Sequence, residues 1–106
     1  MKIGELRKVA KEWQSRLGLD HWKIEVRHGK EGEMDPSWCA CVTWSCEYHS
    51  AFILVHKNHC TEHSIVHELL HVRLEGHLVK PLKYDSMYEF SLNHITDTLI
   101  GYPEKN

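Results

Sequence analysis

Apolar side chains recur at intervals of three or four positions in two stretches of the chain. One stretch covers residues 3–17 and consists of Ile3, Leu6, Ala10, Trp13 and Leu17. The other covers residues 84–100 and consists of Tyr88, Leu92, Ile95 and Leu99. Because this spacing puts the apolar groups on one face of a helix, both stretches are predicted to be amphipathic α-helices. Gly18 and Gly101 follow them and mark the predicted ends.

Three shorter stretches have the pattern of β-strands. In residues 22–28, apolar and charged side chains alternate, which predicts a half-buried strand. Residues 38–44 and 51–56 are rich in apolar, aromatic and β-branched side chains, and a short polar segment separates them. They predict a hairpin whose turn is longer than the two-residue type. Residues 29–37 contain two glycines, a proline and several charges, and they predict a loop.

A third helix is predicted between the hairpin and the C-terminal helix. Thr61 can cap its N-terminus, and Gly76 follows its last predicted residue, Glu75. Residues 77–83 include a proline and predict a short connection. The order helix, strand, strand, strand, helix, helix predicts an α+β fold with a small sheet of about three strands. With no linker and no internal repeat, residues 1–106 are predicted to form a single domain.

Composition narrows the classes of function. A formal net charge of −2 provides no basic face for phosphates, so no nucleic-acid partner is expected. No signal-peptide pattern follows Met1, and no stretch approaches the about 20 apolar residues of a membrane span. A cytoplasmic location without a membrane partner is therefore expected. The cysteine spacing lacks the paired C-x2-C elements of structural zinc sites, which favours reduced thiols at Cys39, Cys41, Cys46 and Cys60.

The segment HELLH, residues 67–71, carries the motif that indicates a metal site. Positions i and i+4 of a helix lie on one face, about 5–6 Å apart at Cβ, so His67 and His71 can bind one ion. Imidazole ligands suit zinc. Glu68 is rotated by about 100° around the helix, where it can act as general base for a metal-activated water. The alternative is a pair of core histidines that hydrogen-bond to the backbone or to carboxylates.

A catalytic zinc site needs a third protein ligand, and two residues are candidates. His77 has the spacing of three-histidine sites, but Leu74 stands where those sites have the glycine that turns the chain back. Glu89 lies in the last helix, which would bring it alongside the two histidines if that helix returned antiparallel. Asn93, one turn later, could orient a ligand histidine through its free N–H. The pattern favours Glu89 and leaves His77 as the alternative.

With these residues in place, the chain resembles the gluzincin branch of the zincin metallopeptidases, in its minimal, phage-type form. VHELLHV (66–72) is similar to the motif helix of that family. YEFSLNHITDTLI (88–100) is similar to the following helix, which supplies the family's third ligand from a glutamate. The predicted hairpin resembles the small sheet whose edge strand holds an extended peptide.

The resemblance implies a zincin-like fold, one Zn²⁺ per chain and a peptide or protein substrate. It implies His67, His71 and Glu89 as ligands and Glu68 as general base. Gluzincins commonly have an aspartate where Asn93 stands, so the group that orients a histidine would be neutral here. No residue matches the family's oxyanion-stabilising group, for which the candidates are Tyr84, Tyr88, His94 and His56.

The predicted function is a zinc-dependent metallopeptidase, a hydrolase that cleaves peptide bonds with a metal-activated water. One alternative is a zinc-stabilised binding module or latent enzyme, in which His77, His63 or a cysteine would fill the fourth metal position. The other is a zinc endoribonuclease that uses His67, His71 and His77. That type of site lacks a glutamate after its first histidine, and a slightly acidic chain suits RNA poorly.

Overall fold

The computed structural model describes residues 1–80 and 85–101. The described residues form three helices and three strands, in the predicted order: α1 (Ile3–Arg16), β1 (Lys23–His28), β2 (Ala40–Ser45), β3 (Ser50–Val55), α2 (Glu62–Glu75) and α3 (Ser86–Ile100). The predicted α+β class is confirmed, and the element bounds differ from the predicted ones by at most two residues. Residues 81–83 of the predicted connection and residue 84, the predicted start of the last helix, lie outside the described part of the chain.

The sheet has the strand order β1-β3-β2. β2 and β3 pair antiparallel, from Ala40 opposite Val55 to Ser45 opposite Ser50, which confirms the predicted hairpin. β1 pairs parallel with β3 on the other side. β3 is therefore the central strand, and β2 lies at an edge of the sheet.

One face of the sheet is buried because side chains alternate along each strand. On β3, Ala51, Ile53 and Val55 are buried, and Ile53 lies between Val26 of β1 and Val42 of β2. The opposite face carries polar and half-exposed side chains, including Phe52, whose ring lies under the Arg27 guanidinium. The helices therefore cover a single face of the sheet.

Helix α2 lies at the centre of the packing, in contact with α1, α3, β2 and β3. Its apolar side chains are buried on several sides of the helix: Ile65, Val66, Leu69, Leu70 and Val72. The Thr61 hydroxyl accepts a hydrogen bond from the Ser64 amide, as the predicted N-cap requires. The Trp13 indole of α1 donates to the Glu62 carboxylate, which joins the first turn of α2 to α1. None of the described helices combines the length and apolar character needed to cross a membrane.

Gly76 ends α2 as predicted, but for a different reason. Its φ of −61° and ψ of −19° are right-handed, so the left-handed conformation that usually selects glycine at a helix end is not involved. A Cβ atom at this position would lie 2.8 Å from a ring carbon of Trp22 and 2.5 Å from the Val72 carbonyl oxygen. Glycine is required here because the indole packs directly on the backbone.

We predict that Gly76→Ala lowers the free energy of unfolding by about 1–3 kcal/mol, since the added methyl group overpacks the contact with Trp22. The matched control is Gly4→Ala in α1, where an added Cβ meets nothing within 4 Å. That substitution should leave stability unchanged or raise it by up to about 1 kcal/mol. Urea unfolding of the two variants and the unmutated chain measures both effects. Equal stabilities for the two variants would contradict the proposed role of Trp22.

Candidate metal centre

His67, His71 and Glu89 meet between α2 and α3. Nε2 of His67 lies 2.8 Å from one carboxylate oxygen of Glu89, and Nε2 of His71 lies 3.0 Å from the other. The three residues together form a group that could hold a metal ion, with ligand atoms all within 4.8 Å of one another. Of the two candidates for the third ligand, the structure brings Glu89 to the histidines.

The helical geometry explains this arrangement. The two histidines are one turn apart on α2 and therefore point to the same side. Glu89 lies in the first turn of α3, three residues before the fully buried Leu92. Positions three apart lie on one face of a helix, so the packing of Leu92 on α2 turns Glu89 toward the histidines.

The donor set could hold a metal ion, and its ligand types are ones that zinc accepts. Zinc bound tetrahedrally at about 2.0–2.1 Å places neighbouring ligand atoms roughly 3.3 Å apart. With one ligand atom from each residue, the three atoms lie within 4.8 Å of one another, so modest side-chain movements would bring them to this spacing. In addition, a carboxylate oxygen and an imidazole nitrogen 2.8 or 3.0 Å apart require a proton or a cation between them. A metal ion would satisfy both contacts with Glu89 at once.

The surroundings favour the neutral, metal-binding form of His67. Burial lowers the pKa of His67, and His71 and His63 act in the same direction, although the Glu89 carboxylate opposes them. Its Nδ1 atom is buried and has no hydrogen-bond partner among the described residues.

Glu68 has the environment of a proton acceptor. It is 8% exposed and lines the cleft beside the two histidines. Burial raises the pKa of Glu68 to about 7; the nearby His71 opposes this shift, whereas the carboxylates of Glu89 and Glu75 add to it. A carboxyl group that titrates near neutral pH can both take up and release a proton under physiological conditions.

The metal-binding group opens into a cleft of about 480 Å³ between β2, α2 and α3. The wall along β2 is largely apolar and includes Trp38, Ala40, Val42 and Trp44. The helical wall carries polar side chains: His63, Ser64, His67, Glu68, His71, Glu75, Glu89 and Asn93. No lysine or arginine is among the described residues that line the cleft, so its charged groups are carboxylates and histidines.

His77 lies elsewhere. It is exposed and lines a separate cavity of about 320 Å³ with His21 and His49, next to Trp22 and Gly76. Because α2 continues to Glu75, the chain has passed the metal-binding group before His77 is reached. Asn93 lines the cleft but is exposed, and among the described residues it makes no hydrogen bond to either histidine.

The candidates for stabilising an oxyanion do not line the cleft in the described part of the chain. The Tyr88 hydroxyl donates a hydrogen bond to Glu75, and the rings of His94 and His56 make edge-on contacts with those of Phe90 and His59. Tyr84 lies outside the described residues. His63 does line the cleft, one turn before His67, and its Nε2 lies 3.1 Å from Asp97 of α3.

Glu75 is a site residue that the sequence analysis missed. It is 2% exposed, and its carboxylate lies 2.6 Å from Nδ1 of His71 and 2.7 Å from the Tyr88 hydroxyl. Burial and the Glu75 carboxylate raise the pKa of Tyr88, which keeps the hydroxyl protonated as a donor. The available signal was the spacing of four residues from His71, which places the two side chains on one helix face.

All four cysteines are free thiols, and none belongs to the metal-binding group in the described residues. Cys39 and Cys41 line the cleft. Burial raises the pKa of Cys41, and the nearby Glu68 adds to the shift. The prediction of reduced thiols agrees with this arrangement.

We predict that Glu89→Ala abolishes stoichiometric zinc binding, whereas His77→Ala retains about one zinc per chain, because only Glu89 lies among the ligand atoms. Zinc content of the purified variants, measured by mass spectrometry beside the unmutated protein, tests this expectation. Loss of zinc from His77→Ala together with its retention in Glu89→Ala would show that the third ligand is the histidine.

Comparison of the chain with protein-family models, with curated proteins and with solved structures found no match. The assignment of the site therefore rests on the residues and the geometry described above.

Proposed function

We propose that this protein is a zinc-dependent metallopeptidase with a zincin-like fold and a gluzincin type of metal site. The observation that carries the proposal is the meeting of His67, His71 and Glu89 beside the buried carboxyl group of Glu68. Two imidazoles and one carboxylate are the ligand set of thermolysin-type zinc hydrolases. In this proposal Zn²⁺ is the metal, with one ion per chain.

An open metal position distinguishes catalytic from structural zinc sites. Within residues 1–80 and 85–101, no fourth histidine, cysteine, aspartate or glutamate joins the group. The group also faces a cleft that is large enough for a peptide backbone. Both features support a role in catalysis.

The proposed mechanism assigns the proton transfers to Glu68. Zn²⁺ held by the three ligands would acidify a water molecule and polarise the carbonyl of the scissile peptide bond. Glu68 would take the proton from the attacking water and then deliver it to the nitrogen of the leaving amine. Burial raises the pKa of Glu68 in the metal-free chain, which makes this carboxylate a stronger proton acceptor than an exposed glutamate.

The edge strand β2 supports an extended peptide as the substrate. Among the described residues, β2 is paired on one side, by β3, and the cleft runs along β2 opposite the metal-binding group. A peptide could add to this edge as a further strand, which provides backbone hydrogen bonds without sequence preference. Trp38 and Trp44 near the two ends of the wall would then contact substrate side chains.

Other expectations from the sequence remain predictions: a peptide or protein substrate, no nucleic-acid partner and a cytoplasmic location. The endoribonuclease alternative gains no support, because His77 lines a different cavity from His67 and His71.

A metal-stabilised binding module is the second candidate, and the packing of α3 favours it. Leu92 and Thr96 are the buried residues of this helix, and much of its surface, including Met87 and Phe90, is exposed. A metal ion bound by Glu89 would hold α3 against α2. Its role could then be to stabilise the fold, without any part in catalysis. Measurements on Glu68 separate the two candidates, since a purely structural metal needs no general base.

We predict that Glu68→Gln keeps its zinc but lowers kcat/KM for cleavage of quenched fluorogenic peptides by about 10²–10⁴-fold, the usual contribution of general acid–base catalysis. The control is Glu12→Gln, which changes an exposed glutamate of α1 and should cleave at the unmutated rate. Cleavage by zinc-loaded Glu68→Gln at the unmutated rate would refute the mechanism. Absence of cleavage by the unmutated zinc-loaded chain would favour the binding module.

Glu68 also makes the stability of the metal-free protein depend on pH. Burial raises the pKa of Glu68 from 4.5 to about 7, so between these pH values the folded chain holds a proton that the unfolded chain has lost. The stability that the folded chain gains from keeping Glu68 protonated is fully present below pH 4.5. It is lost as the pH rises through about 7.

We therefore predict that, between pH 4.5 and 8, the metal-free unmutated protein loses about 2–3 kcal/mol of unfolding free energy relative to Glu68→Gln. Urea unfolding at a series of pH values, with a chelator present, measures the difference between the two proteins. A difference that stays constant with pH would contradict the shifted pKa.

A further inference from the structure

Glu75 lies at the last position of α2 and contacts His71 on its own helix and Tyr88 on α3. Its carboxylate is almost completely inaccessible to solvent, which is costly for a charged group unless hydrogen bonds compensate. One oxygen, Oε2, accepts from the Tyr88 hydroxyl and lies 2.6 Å from Nδ1 of His71. The group therefore contacts a metal-ligand candidate on its own helix and the neighbour of a second candidate, Glu89, on α3.

The contact with His71 determines which nitrogen faces the metal. A carboxylate only accepts hydrogen bonds, so the proton at this contact belongs to Nδ1 of His71. Nε2 is then the nitrogen that presents a lone pair, and it is the atom directed at Glu89. A histidine held in this way keeps its ring orientation and is a more basic ligand.

His67 has no equivalent support. Its Nδ1 atom is buried without a hydrogen-bond partner in the described part of the chain. Of the two imidazoles, only that of His71 contacts a carboxylate through Nδ1 within residues 1–80 and 85–101. The effect of Glu75 on metal binding should therefore be large, because no other described carboxylate contacts the Nδ1 atom of either ligand candidate.

The hydrogen bond between Glu75 and Tyr88 affects the position of Glu89, the third ligand candidate. Tyr88 precedes Glu89 in the first part of α3, and its hydroxyl joins that segment to the end of α2. Its ring also lies against the His71 ring, with centroids 5.8 Å apart. Because α3 buries few of its side chains, this hydrogen bond is one of the contacts that set where Glu89 lies relative to the histidines.

We propose that Glu75 and Tyr88 are positioning residues of the metal centre. Glu75 orients His71 for binding through Nε2, and Tyr88, through Glu75, holds the start of α3 so that Glu89 meets the two histidines. Together they perform the orienting role that the sequence pattern assigned to Asn93. The proposal rests on zinc as the bound metal in the proposed function, but not on peptidase activity.

The test is the zinc dissociation constant, measured by competition with a chromophoric chelator. Glu75→Ala should weaken zinc binding about 10- to 100-fold, the usual effect of losing a carboxylate that supports a ligand histidine. Glu75→Gln keeps the shape with a weaker, neutral acceptor and should weaken it about tenfold. Tyr88→Phe should have a smaller effect in the same direction. Asn93→Ala is the matched control and should change the constant less than about twofold.

A second readout separates orientation from general destabilisation. In the zinc-loaded protein, the Nδ1 proton of His71 should give a strongly downfield resonance that is protected from solvent exchange. Glu75→Ala should remove this signal, and Tyr88→Phe should retain it. If Glu75→Ala does not fold, Glu75→Gln and Tyr88→Phe provide both readouts.

Two results would overturn the proposal: an unmutated dissociation constant in Glu75→Gln, or a loss of affinity in Asn93→Ala that matches that of the Glu75 variants. Failure of the peptidase proposal gives a different result. If zinc affinity and the proton signal follow the expected order while no peptide is cleaved, the positioning role stands and the catalytic function falls. If peptides are cleaved and the Glu75 variants bind zinc normally, the catalytic function stands and the positioning role falls.

Discussion

The burial of α2 is the constraint on which the rest of the structure depends. This helix fills the centre of the protein with apolar side chains, and it also brings His67, Glu68, His71 and Glu75 into surroundings with little water. Polar and charged groups in such a place destabilise the fold unless partners compensate. Tyr88 and Glu89 of α3 supply those partners. The position of the last helix, and with it the third ligand candidate, follows from this requirement.

The sheet contributes a wall to the site without contributing a ligand candidate. β3 is paired on both sides, so β2 remains at an edge, and the face of the hairpin that packs on α2 continues into the cleft. The same alternation of side chains that buries Ile53 also places Val42 and Trp44 along the cleft. Core packing and the shape of the cleft therefore depend on one strand register. A shift of one residue would exchange the two faces of β2 and remove this wall.

Two successive intervals of four residues on α2 determine how the polar groups of the site are arranged. Residues four apart on α2 share a face, which explains why His67 and His71 converge and why Glu75 stands behind His71. Glu68, one position after His67, is rotated by about 100° from it and lines the cleft, as the proposed proton transfer requires. The two buried carboxyl groups thus have different surroundings: Glu75 accepts a hydrogen bond from Tyr88 and contacts Nδ1 of His71, whereas Glu68 lies beside the histidines and is the proposed general base.

Local pattern alone determined the helices, the strands, the hairpin and the pairing of His67 with His71, because each depends on residues that are close in sequence. The capping role of Thr61 was also readable for this reason. The parallel pairing of β1 with β3, the contact of Trp22 with Gly76 and the separation of His77 from the metal-binding group were decided by the tertiary structure. Glu89 could be proposed from sequence, yet only the packing of α3 places it within 3.0 Å of both histidines. The burial of Glu75 could not be predicted from the sequence, because a glutamate at a helix end is ordinarily solvated. Only the packing of the folded chain removes this side chain from solvent.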